Sequence, residues 1–295
     1  MKHGFLLIDK PTGVTSFNVL HQIDKHFSLG RQGYKVGHGG TLDPEASGLL
    51  VAAVGQATKL LRYFLGSDKR YLAQFHLGER TTTDDATGEV IETAPWEHVT
   101  RDDVERALDT QRGHIQQIPP NFSAIHVQGK RAYDLARAGK DLALPAREAT
   151  IYLNKLTACD LPNSPILGLD IACSGGTYIR SIARDLGETL GCHAHMCSLR
   201  RIQSCRFDIA QATPLAELLA ATELDPFVLP CESALAHLPA LTLSTKQVQR
   251  LMQGQFVDFK RYEQGVYRVQ EGDDPTLKAV VEINDKIEIT RIVNA

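Results

Sequence analysis

The fold class follows first from residues 167–191, which read LGLDIACSGGTYIRSIARDLGETLG. Apolar side chains alternate from Leu167 to Cys173, as on one face of a β-strand, and the Ser-Gly-Gly that follows ends the strand. From Ile179 onwards apolar residues recur every three or four positions until Gly191, which predicts an amphipathic helix. A strand, a tight turn and a helix in succession indicate a protein that combines both types of element.

The same alternation of strands and helices extends to both sides of this stretch. Apolar runs at 5–8, 49–54 and 71–77 predict strands, and periodic patterns from Thr15 and Thr100 predict helices, the second capped by its threonine and ended by Gly113. A helical pattern also covers 215–224. After a capping-box pattern at Ser244, three strand-like runs (266–269, 277–283 and 287–293) are enough for a small β-barrel. The sequence therefore predicts an α+β fold with a boundary near residue 240.

Composition and charge limit the class of protein. The chain has 295 residues, of which 43% are hydrophobic and 23% charged, as in ordinary globular proteins. Its net charge of -3 argues against holding nucleic acid by bulk positive charge. Residues 1–206 contain 24 Lys and Arg against 22 Asp and Glu, whereas 207–295 contain 8 against 13. Any contact with RNA is therefore expected to be local and to lie in the first of these parts.

Targeting signals and cysteines indicate the compartment. The first residues lack the apolar run of a signal peptide, and no apolar stretch approaches the length that spans a membrane. Six cysteines in a chain of this length do not form a disulfide scaffold. We therefore expect a cytoplasmic protein with reduced thiols.

The densest chemical signal is GHGGTLDP, residues 37–44. Its three glycines allow the backbone to approach a ligand closely, and Pro44 fixes the chain just after the carboxylate of Asp43. By itself the motif is compatible with an ordinary turn, in which Asp43 caps a backbone amide. A phosphate-binding P-loop is excluded because no Gly-Lys-Ser/Thr follows.

Several blocks follow one another in a fixed order over most of residues 4–206. They are DKPTGVTS (9–16), GHGGTLDPEASG (37–48) with GQATK (55–59), DKRY (68–71), GERTTTD (78–84), IPPNFSA (118–124) with GKRAY (129–133), CSGGTYIR (173–180) and LRR (199–201). In these blocks and their order the sequence resembles the TruB family of tRNA pseudouridine-55 synthases.

This resemblance implies a fold and an activity. The fold is the pseudouridine-synthase fold, with a mixed, mostly antiparallel sheet in a catalytic domain at 1–239 and a small PUA-like β-barrel at 240–295. A mobile thumb-like insertion at 119–148 would clamp the RNA. The reaction would isomerise uridine 55 in the T-psi-C loop of tRNA after flipping the base out of the loop. No cofactor is implied, and the expected partner is the T arm and loop of tRNA, without a membrane or protein partner, bound by a monomer.

The resemblance also assigns catalytic roles. Asp43 would be the catalytic carboxylate, and attack at the sugar and proton abstraction leading to a glycal both remain open. A buried carboxylate needs a nearby cation to stay ionised, and by family position that cation is Arg180. Tyr71 would stack on the uracil and take part in proton transfer. For a single Arg or Tyr considered alone, a solvated helix face or a packed strand is the more common role.

Further residues are implied in substrate binding. His38 would fill the space left by the flipped base, and Tyr178 and Leu199 would form walls of the pocket. The expected phosphate contacts are basic residues, namely Lys59, Arg62, Lys69, Arg70, Arg200, Arg201 and Arg206.

The sequence departs from the family pattern at two positions of the insertion. Phe122 stands where Tyr is frequent and His126 where Lys is common, so a hydroxyl and a charge are absent there; we expect RNA affinity to change and catalysis to survive.

A cluster of cysteines and histidines at 192–197, CHAHMC, raises the question of a metal site. It contains no Cys-x-x-Cys pair, so we expect no metal.

Two other functions fit the same residues. The first is an RNA-binding or RNA-folding protein in which modification is incidental, although binding alone does not require the set Asp43, Tyr71 and Arg180. The second is a synthase that acts on another RNA, against which the order of the blocks argues.

Overall fold

The computed structural model describes residues 2–123, 126–127, 130–131, 144–259, 262–285 and 287–292. Within these residues the strands are β1 Gly4–Lys10, β2 Val36–His38, β3 Ser47–Val54, β4 Lys69–Leu77, β5 Glu79–Thr81, β6 Val90–Thr93, β7 Gly113–Gln117, β8 His126–Val127, β9 Lys130–Arg131, β10 Arg147–Cys159, β11 Ile166–Cys173, β12 Ala194–Ser204, β13 Phe207–Asp208, β14 Thr213–Pro214, β15 Leu229–Pro230, β16 Ala240–Leu243, β17 Gly265–Glu271, β18 Asp274–Ile283 and β19 Ile287–Arg291. The α-helices are α1 Ser16–Phe27, α2 Arg62–Leu65, α3 Arg101–Thr110, α4 Ile179–Leu190, α5 Leu215–Ala220, α6 Cys231–Ala234 and α7 Thr245–Met252.

The chain divides into two compact units. The first comprises Met1–Pro44, Gly48–Leu65 and Arg206–Ala295, and the second comprises Glu45–Ser47 and Gly66–Cys205. Most of the expected thumb-like insertion at 119–148 lies outside the described residues. Among the described residues, every helix is too short or too polar to cross a bilayer.

In the first unit β1 lies inside a sheet. It pairs along its whole length with β3 in the antiparallel sense, and its other edge is shared by β14, which is parallel, and β15, which is antiparallel. The side chains of Phe5, Leu6 and Ile8 are fully buried, and because Phe5 and Leu6 project from opposite faces, both faces of the strand are covered. One parallel pairing among antiparallel ones confirms a mixed, mostly antiparallel sheet.

Helix α1 follows the predicted pattern. The side chain of Thr15 accepts a hydrogen bond from the backbone of Asn18 and so satisfies one of the free amides at the helix start. Val19, Leu20 and Ile23 lie on the buried face, as their spacing predicts.

The C-terminal part of the first unit is a four-stranded sheet in the order β16-β17-β18-β19. Apolar side chains of α7 and the sheet form its core, including Leu243, Leu251, Val269 and Val281. The predicted helix and strands are confirmed, but among the described residues no pairing closes the sheet into the expected barrel. Within the residues that the structure describes, β16 pairs with β17 and β19 with β18, and the two edge strands are not joined.

The sheet of the second unit is antiparallel throughout and runs in the order β12-β4-β11-β10-β7. Helices α3 and α4 pack beside it, and α4 begins and ends as predicted, with Gly191 in the left-handed conformation at its C-terminus (φ 69°). The hairpin β5–β6 follows β4 after Gly78.

Other elements also differ from the sequence prediction. Helix α3 ends at Thr110, because Gly113 begins strand β7 instead of closing the helix. Helix α5 ends at Ala220, short of the predicted Leu224. Strands β10 and β12 were not predicted, and polar residues at several of their positions interrupt the expected alternation.

Candidate active site

Asp43 lies half-buried in the loop between β2 and β3, next to the buried Leu42. The buried hydroxyl of Ser16 donates a hydrogen bond to the carbonyl of Leu42 (3.1 Å) and accepts one from its amide (2.9 Å). One side chain from the start of α1 therefore holds both backbone polar groups of the residue before Asp43. Such a paired contact fixes the local backbone more firmly than a single bond.

Lys10 supports the other side of Asp43. Its side chain is fully buried, and its ammonium donates to the carbonyls of Pro11 (2.8 Å), Val14 (2.7 Å) and Pro44 (3.0 Å). The amide of Gly13 also donates to Pro44 (2.9 Å). A lysine inside a protein is stable only when its charge is well satisfied, and here three carbonyls contribute. Lys10 thus connects the turn at residues 11–14 to Pro44, the residue that follows Asp43. Nothing in the sequence indicated this role beyond the place of Lys10 in the block 9–16.

Gly37 packs closely against Leu61. A Cβ atom added at Gly37 would lie 2.7 Å from Cδ1 of Leu61, so a larger residue there would have to displace that side chain. His38 is half-buried on β2, opposite Ala52 of β3. Residues 36–38 form the short strand β2, so the Gly-rich motif begins on a strand and continues into the loop that carries Asp43.

Tyr71 and Leu199 lie on neighbouring strands of the second unit. Tyr71 is opposite Arg201, and Leu199 is opposite Ala73, so the four side chains share one face of the β4–β12 pair. Tyr71 and Leu199 are each 8% exposed. The structure therefore brings two predicted pocket residues onto the same surface of one rigid sheet.

Arg180 is buried in the first turn of α4. Its guanidinium donates to the carbonyls of Thr83 and Phe122, each at 3.1 Å, and lies 3.6 Å from a carboxylate oxygen of Asp85. Tyr178 is half-buried at the N-cap position of the same helix, and the side chain of Gln117 binds its backbone. Gln117 is buried and was not singled out from the sequence.

A second arginine lies one helical turn after Arg180. Arg184 pairs with Asp84 (3.1 Å) and with Asp185 (2.7 Å). Burial raises the pKa of Asp84 above its ordinary value, and the positive charge of Arg184 opposes that effect. Sequence reasoning missed this network, although Asp84 belongs to the conspicuous block 78–84.

The basic residues expected to contact phosphate are in different environments. Lys59 and Arg206 are exposed, whereas Arg70 forms two hydrogen bonds to Asp170 (2.8 and 2.6 Å). Arg62 is bound to Glu288 (3.0 Å) on β19.

Two of the residues that were expected to contact phosphate are buried. Lys69 is 7% and Arg201 2% exposed, because their positions on β4 and β12 point them into the protein. Arg200, on the opposite face of β12, is half-buried and donates to the hydroxyl of Ser47 (3.4 Å).

The cysteine and histidine cluster does not act as one group. All six cysteines are free. Cys192 is fully buried, and burial raises the pKa of its thiol, so the thiolate that a metal requires is disfavoured. His195, by contrast, lies on β12 opposite His76.

Asp43 belongs to the first unit, and Tyr71 and Arg180 belong to the second. Their combined role, including the pairing of Asp43 with Arg180, stays a prediction.

Comparison with known proteins gives matches over most of the chain. The family model "TruB family pseudouridylate synthase (N terminal domain)" matches residues 27–179, and "tRNA pseudouridylate synthase B C-terminal domain" matches residues 180–236. A tRNA pseudouridine synthase B of Ruegeria sp. (strain TM1040) is 43% identical over 254 residues, which are 85% of this chain and 82% of the relative. One of Synechococcus sp. (strain WH7803) is 46% identical over 250 residues, 83% of this chain and 81% of the relative.

Solved structures share the fold. A Cbf5-Nop10-Gar1 complex contains a chain that superposes with a TM-score of 0.72 over 99% of this chain and 84% of that chain, at 23% identity. An H/ACA RNP bound to a substrate RNA containing 2'-deoxyuridine gives a TM-score of 0.71 over 95% of this chain and 77% of that chain, also at 23% identity. At this level of identity the likeness establishes the fold alone.

Proposed function

Because the chain belongs to the TruB family of pseudouridylate synthases, we propose that it converts uridine to pseudouridine in tRNA, at position 55 of the T-psi-C loop. One observation supports Asp43 as the catalytic carboxylate. The backbone on both sides of Asp43 is held by buried side chains, Ser16 at Leu42 and Lys10 at Pro44. A reacting group needs such rigid support, since small displacements cost large factors in rate.

The reaction is an isomerisation. The bond from the sugar C1′ to N1 of uracil breaks, the base turns, a bond from C1′ to C5 forms, and the proton on C5 leaves while N1 gains one. Atoms and electrons balance without an added oxidant or group donor, so no cofactor is needed. A carboxylate can attack C1′ directly or remove a sugar proton to give a glycal, and Asp43 is proposed for one of these two tasks.

Tyr71 and Arg180 complete the proposed catalytic set. Tyr71 would stack on the uracil, and the neighbouring Leu199 supports this role because it shares the same sheet face. Arg180 would keep the carboxylate ionised, since a cation near a desolvated acid favours its charged form. His38 is proposed to occupy the place of the flipped base, and Tyr178 to line the pocket.

RNA contacts are proposed for the basic residues that solvent can reach. Lys59 and Arg206 are exposed, and Arg70 and Arg200 are half-buried with part of their side chains available. With a net charge of -3, recognition by the shape of the folded loop is favoured over bulk attraction. We further propose that the protein acts in the cytoplasm as a monomer and without a protein partner.

Tritium release tests the activity and the role of Asp43 together. Full-length protein is mixed with tRNA carrying 5-tritiated uridine, because forming the bond at C5 expels the label. Wild type should release one equivalent of tritium per tRNA, and Asp43→Asn should release none while it still binds tRNA. Transcripts with cytidine at position 55 should yield no label.

Asp102→Asn is the matched control, since Asp102 is exposed on α3 and undergoes the same chemical change. It should behave as wild type. If wild type bound tRNA without releasing label, the enzymatic function would be refuted. Equal release by wild type and Asp43→Asn would refute only the role of Asp43. Release of tritium from the transcript with cytidine at position 55 would refute the assignment of the reaction to that position.

A further inference from the structure

We propose that His76, Glu79 and His195 form a binding site for one Zn²⁺ ion, outside the residues proposed for catalysis. One potential ligand atom from each of the three side chains lies within 4.8 Å of the other two. All three residues belong to the second unit, near the end of β4 and the start of β12. The ion would stabilise this end of the sheet and would take no part in the isomerisation.

Strand pairing places the two histidines side by side. His76 on β4 and His195 on β12 are direct partners in the antiparallel register. Opposite residues of such a pair project from the same face, with Cβ atoms about 5 Å apart. Their rings stack with centroids 5.2 Å apart and an angle of 24° between their planes. Two imidazoles on rigid neighbouring strands form a prearranged pair of ligands.

A tight turn brings the carboxylate to the same place. Gly78 has a φ of +95°, and a Cβ atom added there would lie 2.7 Å from Cδ1 of Trp96, so the turn requires glycine. After this turn Glu79 comes back beside His76, with 4.0 Å between a carboxylate oxygen and Nδ1. The turn thus adds an anionic oxygen to two nitrogen donors.

Hydrogen bonding leaves the histidines ready to bind a cation. Nδ1 of His195 lies 3.2 Å from the carbonyl oxygen of Glu79, so it carries the proton and donates it, which leaves the lone pair on Nε2. Histidines that bind metals usually make such a contact with their second ring nitrogen. Nδ1 of His76 is buried and has no hydrogen-bond partner within the described part of the chain. A buried polar atom without a partner costs free energy, which a bound ion would recover.

The donor set selects the type of ion. Two imidazoles and one carboxylate suit Zn²⁺ with a water as fourth ligand, whereas Mg²⁺ and Ca²⁺ prefer oxygen atoms throughout. Ligands of a tetrahedral Zn²⁺ lie about 3.4 Å apart, so the three side chains must close by roughly 1 Å. His195 is buried and fixed, whereas the side chains of His76 and Glu79 are 28% and 40% exposed and can rotate towards it.

Zn²⁺ titration of the untagged, reduced, chelator-treated full-length protein tests the site. Calorimetry should detect one equivalent of Zn²⁺, and Co²⁺ should give the visible absorption of a four-coordinate complex. The unfolding temperature should rise with Zn²⁺ concentration, since binding to the native state stabilises it. His76→Gln and Glu79→Gln should each weaken Zn²⁺ binding by at least about tenfold.

His193→Gln is the matched control, because His193 is two residues from His195 and lies 3.7 Å from Glu92 instead. It should bind as wild type. Glu79→Gln alters a half-exposed side chain, so its circular dichroism should stay unchanged and loss of binding cannot reflect misfolding. Absence of saturable binding by wild type would refute the site. Undiminished affinity of Glu79→Gln, or loss of binding in His193→Gln, would refute the assignment to these three residues.

Discussion

The side-chain amide of Gln117 binds both backbone polar groups of Tyr178. Its oxygen accepts from the amide of Tyr178 (2.8 Å), and its nitrogen donates to the carbonyl (3.0 Å). Gln117 ends β7 and is 2% exposed, and Tyr178 is the residue from which α4 begins. This contact fixes the start of the helix that carries Arg180. It acts as a positioning device because no part of it needs to touch substrate.

Gln117→Ala is expected to lower kcat by about 10- to 100-fold with little change in KM, because a small displacement of Arg180 affects the reaction more than RNA binding. The two backbone groups lose buried partners, which costs about 1–3 kcal/mol in the free energy of unfolding. Tritium-release kinetics and urea denaturation measure the two effects. Gln116→Ala, the exposed neighbour, should leave both unchanged. An unaltered kcat in Gln117→Ala would contradict the positioning role.

Lys10→Met removes the ammonium that holds three carbonyls beside Asp43 while keeping most of the side-chain volume. We expect kcat to fall at least about tenfold, because the carboxylate loses its fixed orientation. The binding of tRNA should stay near the wild-type value, since a buried residue does not contact RNA. Lys35→Met, on the surface, is the comparison for the loss of one charge. Wild-type kcat in Lys10→Met would show that the loop holds its shape without the lysine.

Substitutions of Arg180 and Arg184 are expected to have different effects, the first on the rate of the reaction and the second on the free energy of unfolding. Arg180→Ala should lose most of the activity, by about 100-fold or more, and nearly retain tRNA binding, because its charge supports the carboxylate. Arg184→Ala leaves Asp84 buried without its partner, so it should lower the free energy of unfolding by about 3 kcal/mol. Its folded fraction should keep a kcat close to wild type. The comparison requires tritium release and denaturation on the same preparations; an unchanged rate in Arg180→Ala would refute the proposed ion pair.

Patterns in the sequence predicted the elements whose formation depends on residues that are close together in the chain. The strand β11, the helix α4 and the caps at Thr100 and Ser244 each depend on residues within a few positions of one another. Burial of Lys69 and Arg201 was not predictable in this way, because it depends on the pairing of β4 with β12, whose partner residues are 117 to 135 positions apart. The same pairing joins His76 to His195. The alternation within a strand does not indicate which distant strand pairs with it.

The role of Lys10 was missed for a related reason. A lysine is most often exposed, and nothing near it in the sequence indicates that three carbonyls converge on its ammonium. The carbonyls of Pro11 and Val14 are close to Lys10 in the sequence, whereas that of Pro44 is 34 residues away. Asp43 itself was proposed from the ordered blocks, since its loop alone also fits an ordinary turn.

The pKa of Lys69 should make the stability of the protein depend on pH. Burial, and secondly the positive charge of Arg201, lower this pKa from 10.5 to about 8. The unfolded chain therefore binds the proton more tightly than the folded one. The free energy of unfolding should fall as pH drops from about 10.5 to about 8 and then level off. A difference of about 2.5 pKa units corresponds to about 3 kcal/mol in total.

Lys69→Met removes the titrating group and should therefore remove its contribution to the pH dependence of the free energy of unfolding. Between pH 7 and pH 9.5 Lys69 contributes a rise of about 2 kcal/mol in wild type, which follows from the two pKa values. Urea denaturation at these two pH values, compared between wild type and variant, measures that difference. Lys59→Met, an exposed lysine, should reproduce the wild-type slope. If Lys69→Met and Lys59→Met gave the same slope, Lys69 would titrate near 10.5 in the folded protein, and its burial would carry no electrostatic cost.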